Sequence, residues 1–332
     1  MAKKVLHLGL GVFLFANALF AAMLMSGFTG EVQGETLFVG GSGGDNYTCI
    51  RHALENASAG ASIVVFSGTY QENLTITQSV ILVGENEGTT IIDGLGASNV
   101  VYIDDAFFVG LAQFTIKNGS RGVYISDSEG VVIKSVKITD CDDKGVYVAN
   151  SNGIKISESE LSGSGSGSGI EASYTTSFTS ENNSVEEFTY GIYLDHANEA
   201  EIHGNYLHDN SARGLAISWS TDITVTSTTI DGSDYGVYFF DFSTGTIYNS
   251  IITNSGFADI LMGMDRLTLV NTSFDYGSVV ISTADALLIV KNYLEVRVEG
   301  SGGTPVSGAD VLVKEGTTEI YNSTSGDPKT DG

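Results

Sequence analysis

The most regular feature of this chain is a four-residue phrase in which two apolar residues flank a tyrosine. Its clearest copies begin at Gly122, Gly145, Gly191 and Gly236. Weaker copies begin at Val100, Gly169, Gly214 and Asp259, so that successive copies lie 22 to 24 residues apart. The apolar residues alternate within short stretches that Gly, Ser, Asn and Asp separate. This pattern predicts three short strands in each repeat and excludes helical repeats, whose apolar residues recur every third or fourth position.

The repeat predicts an all-β fold, a single-stranded right-handed parallel β-helix of nine or ten turns over residues 36–290. One turn cannot bury enough apolar surface to be stable by itself, so neighbouring turns must share one core. Proline cannot donate to a strand ladder, and no proline occurs before Pro305.

The segment before the repeats predicts a cap for the first turn. Residues 36–39 have the composition of a strand. A short amphipathic helix is expected at about residues 47–59, with Ile50, Ala53 and Leu54 on one face. Such a helix would cover strand edges and core side chains that otherwise face water.

The first 30 residues are expected to be an export signal or a membrane anchor. Lys3 and Lys4 precede an almost uninterrupted apolar run from Val5 to Met25. No clear cleavage site closes this run, and it is long enough to be retained in a membrane. Both alternatives place the rest of the chain outside the cell, with membrane contact only through this segment.

The charge balance excludes nucleic acid as a partner. The chain has 40 acidic and 15 basic residues and a net charge of −25, which repels phosphate backbones. Cys49 and Cys141, the two cysteines of the chain, are predicted to be unpaired. Seven Asn-x-Ser/Thr sequons are compatible with glycosylation: Asn46, Asn56, Asn73, Asn118, Asn182, Asn271 and Asn322.

Two passages carry a family resemblance. Residues 63–74 and 82–94, which include Gly68 Thr69 Tyr70 and Ile92 Asp93 Gly94, resemble the opening of pectin-lyase-like β-helix proteins. The repeats are most similar to the carbohydrate-binding and sugar-hydrolase type, including nitrous-oxide-reductase accessory (NosD-like) proteins and archaeal surface proteins. The resemblance implies the fold and leaves the reaction open, because the same scaffold hosts lyases, hydrolases, epimerases, adhesins and modules without known activity.

The end of the chain has a different composition. From Tyr293 onward it resembles the carboxypeptidase-regulatory-like β-sandwich that occurs as a stalk on surface proteins. The resemblance implies an incomplete β-sandwich over residues 291–332.

The outward residue of the repeated phrase forms a column down one face. It reads Tyr102, Tyr124, Tyr147, Glu171, Tyr193, Ala216 and Tyr238. The tyrosines could stack to stabilise the solenoid, or they could form a platform for sugar rings, whose C–H faces pack on aromatic rings.

Three residues further along, a second outward column reads Asp127, Asn150, Tyr174, His196, Trp219 and Asp241. Consecutive turns thus present Tyr174, His196 and Trp219, the only tryptophan of the chain. We expect the ligand-binding residues among the members of both columns: Tyr147, Tyr174, Tyr193, Trp219, Tyr238 and Asp241. The alternative to a ligand-binding site is an ordinary solvated turn without a ligand.

Glu171, Asp195 and His196 are the candidate catalytic residues. The two carboxylates fall on adjacent turns, at a spacing that an inverting glycoside hydrolase can use. An epimerase is the second possibility, and a lyase is less favoured because no recognised arrangement of a basic residue and a Ca²⁺ site is present. No metal site or cofactor is predicted, although Ca²⁺ stays possible.

The sequence therefore predicts an exported cell-surface β-helix protein that acts as a glycan-binding, structural or adhesive module. The alternative is a polysaccharide-active enzyme that uses Glu171, Asp195 and His196. The expected partner is a polysaccharide or a cell-surface glycan, and the oligomeric state is left open.

Overall fold

The computed structural model describes residues 34–293, 310–315 and 318–324. The chain divides into two compact units, residues 1–291 and 292–332. The first unit is a right-handed parallel β-solenoid, as the repeat predicted. Each unit is described by itself.

The secondary structure of the first unit consists of one α-helix, one 3-10 helix and 28 strands among the described residues. The helices are α1 (Ile50–Asn56) and the 3-10 turn Tyr276–Ser278. The first strands are β1 (Thr36–Val39), β2 (Ala61–Val65), β3 (Gly68–Gln71), β4 (Leu74–Ile76), β5 (Val80–Gly84), β6 (Thr90–Asp104), β7 (Gly110–Ala112), β8 (Thr115–Ser126), β9 (Val132–Lys134) and β10 (Lys137–Ala149). The middle strands are β11 (Lys155–Ser157), β12 (Glu160–Ser162), β13 (Ser168–Thr176), β14 (Thr179–Glu181), β15 (Ser184–Glu186), β16 (Tyr190–Asn198), β17 (Glu201–His203), β18 (Tyr206–His208) and β19 (Arg213–Ser218). The last strands are β20 (Ile223–Thr226), β21 (Thr229–Asp231), β22 (Tyr235–Phe240), β23 (Thr244–Tyr248), β24 (Ile251–Thr253), β25 (Ala258–Met262), β26 (Arg266–Val270), β27 (Val279–Ile281) and β28 (Leu287–Lys291).

These strands form two long parallel sheets. One has 12 strands, from β1 through β11 and β20 to β28, and the other has 16. The solenoid therefore has about twelve turns rather than nine or ten. Coils without the repeated phrase lie at both ends, in strands β1 to β5 and in strands β27 and β28. The third strand of a turn also merges with the first strand of the next turn in β6, β8 and β10, where three separate strands were expected.

The core is one continuous column of aliphatic side chains. In the repeated phrase the residues on either side of the tyrosine point inward, and Val123, Ile125, Val146 and Val148 are fully buried. The glycine that opens the phrase is required by close packing between turns. A Cβ atom on Gly145 would lie 2.6 Å from the carbonyl oxygen of Gly169, so a side chain there would push the turns apart.

A ladder of small polar side chains connects successive turns inside the bend that follows each strand of the 12-stranded sheet, as between β11 and β12. It consists of Ser159, Asn183, Asn205, Thr228 and Ser250, and all five are buried. The backbone N–H of each of the first four donates to the side-chain oxygen of the next member, at 2.9 to 3.4 Å. Buried backbone donors are thereby satisfied where the strand ladder is interrupted. This polar ladder therefore bonds along the axis.

Helix α1 caps the solenoid, and side chains of the solenoid hold it at both ends. The N–H groups of Ile50 and Arg51 donate to the Glu72 carboxylate at 2.8 and 2.9 Å. At the other end, the Gln78 amide donates to the Leu54 carbonyl oxygen at 3.1 Å. The predicted apolar face is buried. The helix is shorter than the predicted range of 47–59 because Tyr47 pairs with the first strand and residue 57 is already extended.

In the second unit, strands β29 (Asp310–Glu315) and β30 (Thr318–Thr324) form an antiparallel pair. The predicted leader, residues 1–30, lies outside the described residues. Among the residues that the structure does describe, no helix is long and apolar enough to span a bilayer. Cys49 and Cys141 are both free.

Candidate functional site

The outward residue of the repeated phrase forms a column in strict register. We call Tyr102, Tyr124, Tyr147, Glu171, Tyr193, Ala216 and Tyr238 the tyrosine column, in which each member pairs directly with the next. The first three rings stack with centroids 5.0 Å apart and planes within 10°. The Tyr102 hydroxyl lies 3.0 Å from Ser126 Oγ. Glu171 interrupts this stack after Tyr147, whereas Tyr193 and Tyr238, on either side of Ala216, are connected through the ring of Phe240.

The second outward column lies where each turn bends after this strand. Asp105, Asp127 and Asn150 have φ of 48 to 49° there, in the left-handed region. Asn and Asp tolerate this conformation well, whereas bulky side chains rarely adopt it. Tyr174, His196 and Trp219 nevertheless occupy the same position with φ of 53, 51 and 48°. Such outliers cost about 1 to 3 kcal/mol each and concentrate at functional sites.

The three aromatic residues stack on one another, and a fourth ring extends the stack. We call Tyr174, His196, Trp219 and Phe242 the bend ladder. Its successive ring centroids are 4.6, 5.9 and 5.5 Å apart. Tyr174, Trp219 and Phe242 are 59, 47 and 55 % exposed. The ladder is therefore a row of solvent-facing rings that crosses four consecutive turns.

Phe242 was not predicted, and Asp241 was expected in its place. In this bend the two left-handed residues are consecutive, Asp241 and Phe242 with φ of 58 and 64°, whereas in the preceding bend they are Trp219 and Asp222. Asp241 instead accepts a hydrogen bond from Ser218 Oγ at 3.3 Å. The double aromatic Phe239 Phe240 followed by Phe242 is the only signal in the sequence that distinguishes this turn.

Asp195 and His196 join the two columns. His196 Nδ1 lies 2.9 Å from Asp195 Oδ1, and the two side chains are 39 and 25 % exposed respectively. Asp195 lies two residues after Tyr193 on β16, on the same outward face. The predicted pair is therefore formed, and its carboxylate adjoins both the tyrosine column and the bend ladder.

Glu171 lies directly beside Tyr193 in the register of the sheet. Its carboxylate accepts a hydrogen bond from Ser168 Oγ at 2.9 Å and lies 3.6 Å from Lys144 Nζ. Burial raises the pKa of Glu171, although Lys144 and Ser168 oppose the shift. A raised pKa suits a general acid, whereas an ion pair suits a structural carboxylate.

Tyr193 lies between the two candidate carboxylates. Burial, followed by the negative charges of Asp195 and Glu171, raises the pKa of Tyr193 to about 12. Its phenol therefore stays protonated at neutral pH and can donate a hydrogen bond to a ligand. The structure thus brings Glu171, Tyr193, Asp195 and His196 to one face, with the bend ladder at its border.

A groove that the sequence did not predict lies on the outer face of the 12-stranded sheet. It has a volume of about 670 Å³, and its lining includes Phe108, Val132, Lys155, Glu181 and His203. Lys155 and Glu181 form an ion pair at 2.6 Å. None of the candidate residues lines it. No cluster of three or more His, Cys, Asp or Glu side chains suited to a metal ion occurs in the part of the chain that the structure describes.

The family model for right-handed beta helix regions matches residues 69–230 and again residues 121–274. The chain belongs to this right-handed beta helix family. No curated protein matches it. The bend ladder lies entirely inside the matched region, so the candidate site is built on the repeats that define the family.

Solved structures similar to this beta helix chain include a bacteriophage tailspike protein and a glucanase. The enzymatically active domain of tailspike protein 2 from bacteriophage CBA120 has a TM-score of 0.50 and 14 % identity, over 75 % of this chain and 45 % of that one. The full-length tailspike protein 2 gives 0.52 and 12 %, over 72 and 40 %. The catalytic unit of a GH87 α-1,3-glucanase from Streptomyces thermodiastaticus gives 0.50 and 13 %, over 73 and 65 %. The chain spans less than half the length of the tailspikes, and identities this low show a shared fold.

Proposed function

We propose that this chain binds a polysaccharide along the bend ladder. The observation that carries the proposal is the exposure of Tyr174, Trp219 and Phe242 in a backbone conformation that disfavours aromatic residues. Three earlier turns have Asp or Asn at the same position, so the fold does not need rings there. An asparagine at these positions would adopt the same backbone conformation with less strain, so the fold does not explain the aromatic residues.

The chemistry of the ladder suits a sugar chain. The C–H faces of sugar rings pack on aromatic rings, while their hydroxyl groups bond to carboxylates and phenols. Asp195 and Asp241 lie next to the ladder and supply such acceptors. Because the rings follow one another from turn to turn, an extended ligand can contact several rings at once.

The comparisons support the same class of ligand. The similar structures are a tailspike and a glucanase, and the name of the glucanase states that it acts on an α-1,3-glucan. The inference to a polysaccharide in this chain rests on the shared fold together with the exposed rings. The polysaccharide itself is left open by both.

We infer an extracellular or cell-surface location from the predicted leader, and we retain an adhesive or structural role as a form of the same binding function. The resemblance of residues 291–332 to a carboxypeptidase-regulatory-like stalk supports surface display. Fractionation of the native host, with the chain detected by antibody, tests this location. Recovery in the cytoplasmic fraction would contradict it.

Binding is tested by affinity electrophoresis of the full chain through gels that contain a panel of neutral and acidic polysaccharides. We expect retardation by at least one of them, and a loss of about tenfold in affinity for Trp219→Ala, which corresponds to about 1.4 kcal/mol. Phe107→Ala is the matched control, since Phe107 is 51 % exposed and lies outside the ladder. Equal retention of Trp219→Ala and the unaltered protein would refute binding at the ladder.

A second candidate function is hydrolysis or epimerisation of the bound polysaccharide. It is favoured by the raised pKa of Glu171 and by the contact between His196 and Asp195. New reducing ends would reveal a hydrolase, and exchange of ring protons with deuterated solvent would reveal an epimerase. Glu171→Gln and Asp195→Asn should each abolish turnover while binding persists. Turnover that survives both changes would exclude this site as the catalytic one.

A further inference from the structure

A row of basic residues runs beside the tyrosine column, and its members differ in whether a carboxylate neutralises their charge. Arg121, Lys144 and Arg213 occupy this row, each at the start of a strand segment that leads into the column. Arg121 Nε lies 3.2 Å from Asp143, and Lys144 Nζ lies 3.2 Å from Asp143 and 3.6 Å from Glu171. The first two cations are thus neutralised by carboxylates of the chain.

Arg213 has no carboxylate within ion-pair distance among the described residues. Its Nη1 donates to the Tyr190 hydroxyl at 2.9 Å, while its Nε is buried and has no hydrogen-bond partner. Its guanidinium carbon lies 4.1 Å from the Tyr238 ring centroid and 5.9 Å from that of Phe240. The guanidinium is therefore held between aromatic rings.

This arrangement is unusual in a chain with 40 acidic and 15 basic residues. Arg51 and Arg266 also lack an ion pair among the described residues, but both are exposed, so water solvates their charge. The half-buried Arg213 loses part of that solvation, which the rings replace incompletely. A guanidinium has five N–H donors in a planar fork, and among the described residues the fork of Arg213 donates to one acceptor, the Tyr190 hydroxyl.

We propose that Arg213 recognises an anionic group on the polysaccharide, either the carboxylate of an acidic sugar or a sulfate ester. The proposal rests on the proposed glycan binding and specifies its ligand as acidic. Because Nε is buried, the contact to either group would use the remaining N–H donors of Nη1 and Nη2, which can bond two oxygen atoms of one anion. The neighbouring rings of Tyr190, Tyr193 and Phe240 provide a surface for the sugar that carries the anion.

The position of Arg213 also predicts the length of the ligand. Arg213 begins strand β19, and Trp219 follows the last residue of that strand. Six residues at about 3.3 Å each separate them by about 20 Å. A ligand that contacts both side chains must therefore contain several sugar units, and a monosaccharide cannot replace it.

The test compares charged and uncharged forms of the same polymers with the full chain. Polygalacturonate is paired with its methyl ester for the carboxylate, and dextran sulfate is paired with dextran for the sulfate. We expect the unaltered protein to prefer one charged form by about tenfold. Arg213→Gln should abolish this preference without weakening retention of the neutral form, and Arg213→Lys should keep part of it.

Arg266→Gln serves as the control, because it removes the same charge from an exposed site. Thermal unfolding of each variant reports whether the fold is kept. The proposal is overturned if Arg213→Gln weakens charged and neutral forms equally, if it changes stability alone, or if Arg266→Gln has the same effect. If the unaltered protein retains none of the four polymers or the wider panel, the proposed glycan binding itself fails.

Discussion

The tyrosine column and the bend ladder occupy neighbouring positions of the same repeat, but they differ in exposure and in backbone conformation. Tyr102, Tyr124 and Tyr147 are half-buried, lie on regular strand backbone and stack in nearly parallel pairs. The bend ladder is exposed and occupies left-handed backbone. Stacked rings in a solenoid can thus serve two different roles. On a strand they add to the packing between turns, whereas at a strained bend they need an explanation outside the fold.

The largest expected effect concerns the tyrosine column. Tyr124→Ala removes a half-buried ring between two stacked neighbours and should lower the free energy of unfolding by about 3 kcal/mol. Chemical denaturation measures this change. Polysaccharide retention should be preserved, so a variant that unfolds normally and no longer binds would show that this column is the ligand surface.

A smaller effect is expected at the end of the bend ladder. Phe242→Ala removes an exposed ring that contacts Trp219, and a ring contact of this kind contributes about 0.5 to 1.5 kcal/mol. Retention should weaken by about two- to tenfold, while the thermal midpoint changes little. Phe257→Ala, which removes another exposed ring, should leave retention unchanged. If both variants bind equally well, Phe242 is not part of the site.

The backbone strain of the ladder can be tested separately from binding. Tyr174→Asn places at this bend the residue type that the preceding turn already has, and it should raise the free energy of unfolding by about 0.5 to 1 kcal/mol. Retention should fall at the same time. A variant that is both less stable and fully able to bind would mean that Tyr174 serves the fold.

The smallest effect should appear as a pH dependence of stability. Because the pKa of Glu171 is raised in the folded state, the folded protein binds more protons than the unfolded chain above the ordinary value of 4.5. Stability should then fall as pH rises from 4.5 through the folded-state pKa. Thermal unfolding of Glu171→Gln across this range should lack that fall. An identical pH profile would place Glu171 in a solvated environment.

The sequence predicted the solenoid and both columns because a parallel coil turns a fixed repeat length into vertical registers. Tyr174, His196 and Trp219 were found for this reason. Phe242 escaped the same reasoning because the two left-handed residues of its bend, Asp241 and Phe242, are adjacent, whereas those of the preceding bends lie three residues apart. The surroundings of Arg213 could not be predicted, since the rings that contact its guanidinium, those of Tyr190, Tyr238 and Phe240, come from two different turns and three different positions of the repeat.

The groove near Phe108 was missed for a different reason. Its lining residues come from several columns of the repeat, and each column by itself has the pattern of an ordinary solvated strand. The number of turns was underestimated because strands β1 to β5 and strands β27 and β28 build coils without the repeated phrase. Regular sequence thus identifies the middle of a solenoid better than its ends.

The polar ladder from Ser159 to Ser250 restricts how such a chain can change in length. Each rung accepts a hydrogen bond from a backbone amide one coil earlier. Duplication or deletion of a whole coil would restore every rung with a new neighbour. A single inserted residue between two rungs must instead be absorbed in a bend, or it would misalign all the coils that follow.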